Sequence, residues 1–200
     1  MKTEIEAKFL DIDINKLRTS LKSSGAKLIT PERLMKRKIL DFPDGTLNAK
    51  GGWVRIRDEG NKITASYKQL SDRTLYGTKE VNLEIDNFEA ASDFMSSLGL
   101  MEKSYQETKR ESWELNGCEI EIDTWPWVPT YVEIESENEK DLRGVVDSLG
   151  LDWTKALHGS VEVVYQAYYD ITESEINNLK NVTFDGIPDL LKSKRKISEE

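Results

Sequence analysis

Cysteine and histidine are almost missing from this chain: 200 residues contain one of each, Cys118 and His158. A lone cysteine excludes an internal disulfide framework and suits a reducing compartment. A lone histidine removes histidine-rich metal sites, and it leaves any Ser-His-Asp or Cys-His mechanism only His158 to use. No apolar run approaches the roughly 18 residues of a membrane span, and the N-terminus lacks the apolar core of a secretory signal. Positive charge is not in excess either, because the net formal charge is -9. That disfavours binding to long nucleic acid, which needs a broad basic surface, and leaves room for a small anion in a locally basic pocket. These absences together point to a cytoplasmic protein without membrane or long nucleic-acid partners.

With 38% hydrophobic and 32% charged residues, the chain reads as a soluble globular domain long enough to bury a real core. The pattern assigns residues 1–171 to one domain and 172–200 to a charged C-terminal tail, partly helical or disordered, ending in the charged run Lys192 to Glu200. Strands are expected over 2–9, over 26–42 with a break at Pro31, around Trp53-Val54-Arg55-Ile56-Arg57, and from Ile63 to Lys68. Further strands are expected from Tyr76 to Ile85, over 101–115, from Cys118 to Thr124 and from Tyr131 to Glu135. Asp13 reads as an N-cap and Gly25 as a stop for a first helix. Further helices follow at about 88–98, 138–149 and 160–169. Asn116-Gly117 is a hairpin signal.

Side chains of a strand alternate between faces, so each strand can be divided by parity. The polar parity collects the acids Glu4, Glu6, Glu80, Glu84, Glu119, Glu121, Asp123, Glu133 and Glu135. It also collects the bases Lys8, Arg37, Arg55, Arg57, Lys68 and Arg110. One reading is an antiparallel sheet whose charged face meets water. The other is closure, since twisted sheets this wide curl or close. With helices covering the apolar parity, closure places the charges in a lumen. The segregation of Glu4/Glu6 and Glu133/Glu135 from Arg55/Arg57 favours a ligand with two halves. Cations hold phosphate oxygens, and carboxylates hold hard divalent metals. A polyphosphate with Mg²⁺ or Mn²⁺ matches both. Cys118 sits on the apolar parity and reads as core; Tyr165, Tyr168 and Tyr169 read as packing.

Glu4-x-Glu6-x-Lys8, Arg55-x-Arg57, Lys68 and Val132-Glu133-Ile134-Glu135, in this order, resemble the CYTH superfamily of triphosphate tunnel metalloenzymes. The resemblance spans about residues 2–170. It implies an α+β fold: an eight-stranded antiparallel closed β-barrel, a tunnel, with helices packed outside. It further implies Glu4, Glu6, Glu133 and Glu135 as ligands of Mg²⁺ or Mn²⁺. Lys8, Arg37, Arg55, Arg57, Lys68 and Arg110 become triphosphate contacts, with Glu80, Glu84, Glu121 and Asp123 as secondary tunnel acids. Arg37 lies in the run Lys36-Arg37-Lys38, so a one-residue slip would exchange it for a neighbour. Two departures stand out. Asn82 replaces an acid that many members carry, which would weaken a second metal. Trp125-Pro126-Trp127-Val128-Pro129 replaces a glycine-bearing turn, its tryptophans either lining the tunnel or plugging one end.

The implied activity is metal-dependent hydrolysis of a triphosphate, whether tripolyphosphate, thiamine triphosphate or a nucleoside triphosphate. Glu6 and Lys68 are the expected catalytic residues, Lys68 as a general acid or base. The alternatives are a class IV adenylyl cyclase forming 3′,5′-cyclic AMP and pyrophosphate, and a non-catalytic triphosphate-binding module. A homodimer is compatible with the resemblance.

Overall fold

A computed structural model describes residues 1–196. Eight strands form the wall of a barrel: β1 (Lys2–Phe9), β2 (Lys27–Asp41), β3 (Gly52–Asp58), β4 (Ile63–Leu70), β5 (Thr78–Ile85), β6 (Met101–Leu115), β7 (Cys118–Thr124) and β8 (Tyr131–Ser136). Their order is β2-β3-β4-β5-β1-β8-β7-β6, and a β2–β6 pairing closes the circuit. Every one of these pairings is antiparallel. The closed antiparallel barrel that the resemblance implies is the observed architecture, and the open sheet with a solvated charged face is not.

Helices α1 (Ile14–Ser23), α2 (Phe88–Ser97), α3 (Glu139–Ser148), α4 (Glu162–Tyr168), α5 (Glu173–Asn177) and α6 (Asp189–Ser193) lie outside the wall. Helix α1 starts because the Asp13 carboxylate accepts from the backbone N–H groups of Asn15 and Lys16. It ends at Gly25, whose φ of 80° suits a residue without Cβ. Its Leu17 and Leu21 pack against Phe9, Ile120, Ile134 and Val146 in the largest core. Each such burial contributes about 1.5–3 kcal/mol. A second core joins the wall residues Leu40, Ile56 and Ala65 to Phe88, Ala91 and Met95 of α2. A third crosses one end of the barrel and combines Trp125, Tyr131, Val164, Tyr165 and Tyr169 with Ile176, Val182 and Leu191.

Pro31 does not break β2. The strand runs unbroken through it while the β2–β6 register shifts between Leu28 and Thr30 and again between Thr30 and Arg33. Irregular pairing lets a residue without an N–H remain in a strand. The apolar parity is not covered everywhere either: Val81 and Leu83 on β5 are 42% and 61% exposed. Helix α2 packs over β3 and β4 and α3 over β8, β1 and β7, so β5 falls between them.

The segment beyond 172 adds α5, α6 and a ninth strand, β9 (Asn181–Val182), parallel to Tyr105–Gln106 of β6. Leu191 of α6 is fully buried, and positions 197–200 of the expected tail lie outside the described residues. Among those described, no helix is long and apolar enough to cross a membrane.

Candidate active site in the barrel lumen

Parity alone sends Glu4, Glu6 and Lys8 of β1 to the inside, and all three are buried although charged. Neighbouring strands add Glu133 and Glu135 from β8 and Glu121 and Asp123 from β7. The opposite wall adds Arg37 from β2, Arg55 and Arg57 from β3, Lys68 from β4 and Arg110 from β6. Glu80 joins them from β5 by pairing with Arg55 at 3.0 Å. Glu84 and Asn82 share its parity but lie toward the far end of β5, where both are exposed. The structure thus brings together the charged residues of the polar parity except Glu84 and Glu119, both of which are exposed.

The acidic wall is crowded. Register places Glu6 opposite Glu135 and Glu121 opposite Glu133, and like charges directly opposite one another repel. The Lys8 ammonium relieves part of this, lying 2.6 Å from Glu6 and 3.0 Å from Glu133. Burial opposes ionisation of Glu133, but Lys8 and Arg110 outweigh it and hold the carboxyl well below the usual range. Glu135 has no cation within salt-bridge distance among the described residues. Burial, reinforced by Glu6, pushes its carboxyl up to about 7. Glu121 is likewise raised to about 7 by burial, with Arg110 opposing, and its buried Oε2 has no hydrogen-bond partner. Glu4 accepts from the Lys68 ammonium at 2.7 Å, yet burial still raises its carboxyl.

The basic wall has the reverse problem. Arg37 is registered opposite Arg57, and Arg33 opposite Arg110. Burial and the neighbouring arginines press Arg37 well below its ordinary value and bring Arg55 down to about 10. The Nε atoms of both are buried without acceptors among the described residues. Arg110 is the exception: it grips Asp123 through two hydrogen bonds of 2.6 and 2.5 Å, and acidic neighbours overcome its burial.

Residues 2–169 match the family model of the CYTH domain. The chain belongs to the CYTH family. Three solved structures share its fold. PH1012 protein from Pyrococcus horikoshii is 21% identical, covering 76% of this chain and 93% of its own, with a TM-score of 0.64. A candidate adenylate cyclase from Vibrio parahaemolyticus is 12% identical over 82% and 98%, with a TM-score of 0.70. A candidate adenylyl cyclase from Hippeastrum, described by its dominant triphosphatase activity, is 17% identical over 84% and 96%, with a TM-score of 0.59. At these identities the likeness speaks for the fold. No curated protein matches.

CYTH triphosphate tunnel enzymes are divalent-metal dependent in general, so the acidic wall of this member can be tested for fit. Among the described residues no three carboxylate, histidine or cysteine side chains converge into a ready-made cage. The donor chemistry fits nonetheless. Hard cations prefer oxygen, the metal-ligating side chains of this wall are carboxylates, and among the described residues Glu135 lacks a cationic partner while Glu121 Oε2 lacks a hydrogen bond.

Several lumen residues of this CYTH chain escape sequence reasoning. Arg33 donates to Ser112 Oγ at 2.9 Å and lies 3.7 Å from Glu59. Glu59 is buried and accepts from Arg57 at 2.6 Å. Arg33 has the parity of Arg37, but the expected break at Pro31 hid it; Glu59 sits in a turn, where parity gives no signal. Thr64, Ser66 and Thr108 are buried lumen hydroxyls whose small size made them silent. His158, on the segment leading into α4, places Nδ1 3.0 Å from the backbone carbonyl of Glu6, and Leu157 exchanges backbone hydrogen bonds with Lys8.

Proposed function

We propose that this CYTH protein is a divalent-metal-dependent phosphohydrolase that cleaves a phosphoanhydride of a triphosphate held in the lumen. The observation that carries the reading is a buried pair of unmet needs among the described residues: Arg37 has no carboxylate within salt-bridge distance on one wall, and Glu135 has no cation on the other. An isolated buried charge is costly. A triphosphate with its divalent ion supplies both missing partners at once.

In this reading Arg37, Arg55, Arg57 and Arg110 bind the phosphate oxygens and neutralise the charge that spreads over them during phosphoryl transfer. Lys8 stays between Glu6 and Glu133 and orients both carboxylates while its charge adds to the phosphate field. Lys68, held on Glu4, is placed to keep or deliver a proton at Nζ. Asp123 fixes the plane of Arg110, and Glu80 that of Arg55. Held by Glu4, Glu6, Glu133 and Glu135, a divalent metal would supply Lewis-acid polarisation of phosphoryl oxygens and acidify a water molecule. The walls grip phosphate and leave the rest of the substrate unspecified, which favours tripolyphosphate, thiamine triphosphate or a nucleoside triphosphate hydrolysed through its phosphate chain. The single buried cysteine suits a cytoplasmic setting.

The test is a panel of tripolyphosphate, thiamine triphosphate, ATP and GTP with Mg²⁺ and with Mn²⁺. Metal-dependent release of inorganic phosphate is expected. Formation of 3′,5′-cyclic AMP with pyrophosphate from ATP would replace the hydrolase by a cyclase. Thermal stabilisation by triphosphate without turnover under either ion would reduce the protein to a binding module.

A further inference from the structure

Arg37 is the least compensated of the lumen cations. It is 5% exposed, and its Nη2 donates to Thr108 Oγ1 at 2.7 Å while its Nε has no acceptor among the described residues. Asp123, the carboxylate that acts on it most strongly, is already engaged by two donors of Arg110. What supports the guanidinium instead is an aromatic face. Its carbon lies 4.6 Å from the ring centroid of Trp125, within the range where the negative face of an indole attracts a cation.

Trp125 belongs to no strand. It is the first residue after β7, in the Trp-Pro-Trp-Val-Pro connection, and is 6% exposed. Tyr165 of α4 meets its ring edge-on, with centroids 6.5 Å apart and planes at 90°. The Tyr165 hydroxyl donates to the Pro126 carbonyl at 2.9 Å and ties helix to loop. Tyr169 fixes the same loop by donating to the Trp127 carbonyl. Tyr131, which has the lumen parity of β8, is packed into this cluster. The barrel is thus floored at this end by aromatic rings, with Arg37 lying on the floor.

We infer that Trp125 is a positioning residue. Its ring face holds the Arg37 guanidinium flat at the bottom of the lumen, and this makes Arg37 the contact for the terminal phosphate of a substrate that enters from the opposite end. The inference rests on the reading of the lumen as a triphosphate site. It assigns to the β7–β8 connection a role in substrate affinity, in addition to closing the barrel.

The test is steady-state hydrolysis of tripolyphosphate with Mg²⁺ by the full chain. W125L, which keeps apolar volume but removes the ring face, should raise KM roughly 30-fold, the fold-change expected for a desolvated cation–π contact, with kcat within about threefold. W125F, which restores a face, should return KM close to wild type. Wild-type protein labelled with 5-fluorotryptophan provides a readout that needs no folded W125L. The resonance missing in W125F, and so assigned to Trp125, should shift when tripolyphosphate is added. A W125L enzyme with wild-type KM and only a lowered melting temperature would overturn the inference, as would an unmoved Trp125 resonance at saturating tripolyphosphate; either leaves the phosphohydrolase reading standing. A wild-type protein that neither binds nor hydrolyses tripolyphosphate would overturn that reading, and this inference with it.

Discussion

The two walls of the lumen are built by the same rule and fail in opposite ways. On β1, β7 and β8 the alternation delivers carboxylates opposite carboxylates, and the excess acid responds by holding protons: burial lifts Glu121 and Glu135 to about 7. On β2, β3 and β6 it delivers arginines opposite arginines, and burial lowers the proton affinity of Arg37 and Arg55. A structural sheet would interleave the signs, since each mixed pair relieves its neighbours. Separation by wall leaves Arg37 and Glu135 without charge partners among the described residues, and a ligand cationic on one side and anionic on the other would serve both. Where the walls meet, at Arg110 with Asp123, and where Lys8 sits within the acidic wall beside Glu133, the charges are satisfied. Those pairs are structural anchors for the unsatisfied groups beside them.

This comparison can be broken from either side. The largest effect is expected from Glu6→Ala on the acidic wall. Turnover should fall by at least about 100-fold, the upper end of what losing even an indirect metal partner costs, while circular dichroism remains that of the folded barrel. Full activity in that variant would remove the acidic wall from the chemistry. On the basic wall, Arg55→Ala removes a charged hydrogen-bond donor. KM for tripolyphosphate should rise roughly 10–100-fold, the equivalent of about 1.5–3 kcal/mol, measured in the same phosphate-release assay.

Lys8→Met tests whether the anchors carry stability. It strips the cation from Glu6 and Glu133 together, and breaking a buried pair this way costs about 3–5 kcal/mol. For a chain of this size that is a drop in Tm of roughly 6–20 °C. Mg²⁺ should restore part of it in this variant more than in wild type. An unchanged melting curve would show that the ammonium is not needed where it lies.

The smallest effect sharpens the comparison. Glu121 and Glu135 are held near 7 against an ordinary carboxylate value of 4.5. Between those values the folded chain binds more protons than the unfolded one, so ligand-free stability falls as pH rises through the window. Burial alone would raise Glu80 and Glu133 as well, but Lys68 and Lys8 hold them low. Their contribution is therefore complete above the ordinary carboxylate range and does not cancel the trend. Scanning calorimetry from about pH 5 to pH 8 should show Tm declining across the interval. Mg²⁺ should oppose the decline more at the upper end, because metal binding needs the deprotonated carboxylates. A Tm that rises over the same interval would mean that these two acids are ionised throughout.

Much of the site was legible in the strands because alternation is a local property. Once β1 is extended, Glu4, Glu6 and Lys8 must share a face, and the same holds for Arg55 and Arg57 or Glu133 and Glu135, whatever the rest of the chain does. Legibility ends where the backbone leaves the simple ladder. Glu59 lies in a turn and Trp125 in a connection, where no period assigns a side, and Arg33, although it has the parity of Arg37, was hidden by the expected break at Pro31. Glu84 shows the complementary limit: parity turns it inward, but its place toward the end of β5 leaves it exposed.

From the amino-acid order alone came the strands, their two faces and the sign of charge on each, since these depend only on neighbours within a few residues. Tertiary structure decided which strands meet, and hence that Lys8 serves both an acid two residues away and one on β8, that Arg110 is neutralised while Arg37 is not, and that an indole floors the barrel. Those outcomes depend on closure through β2–β6 and on the packing of α4 across one end. Both are contacts between residues distant in the chain, whose energies no local pattern records.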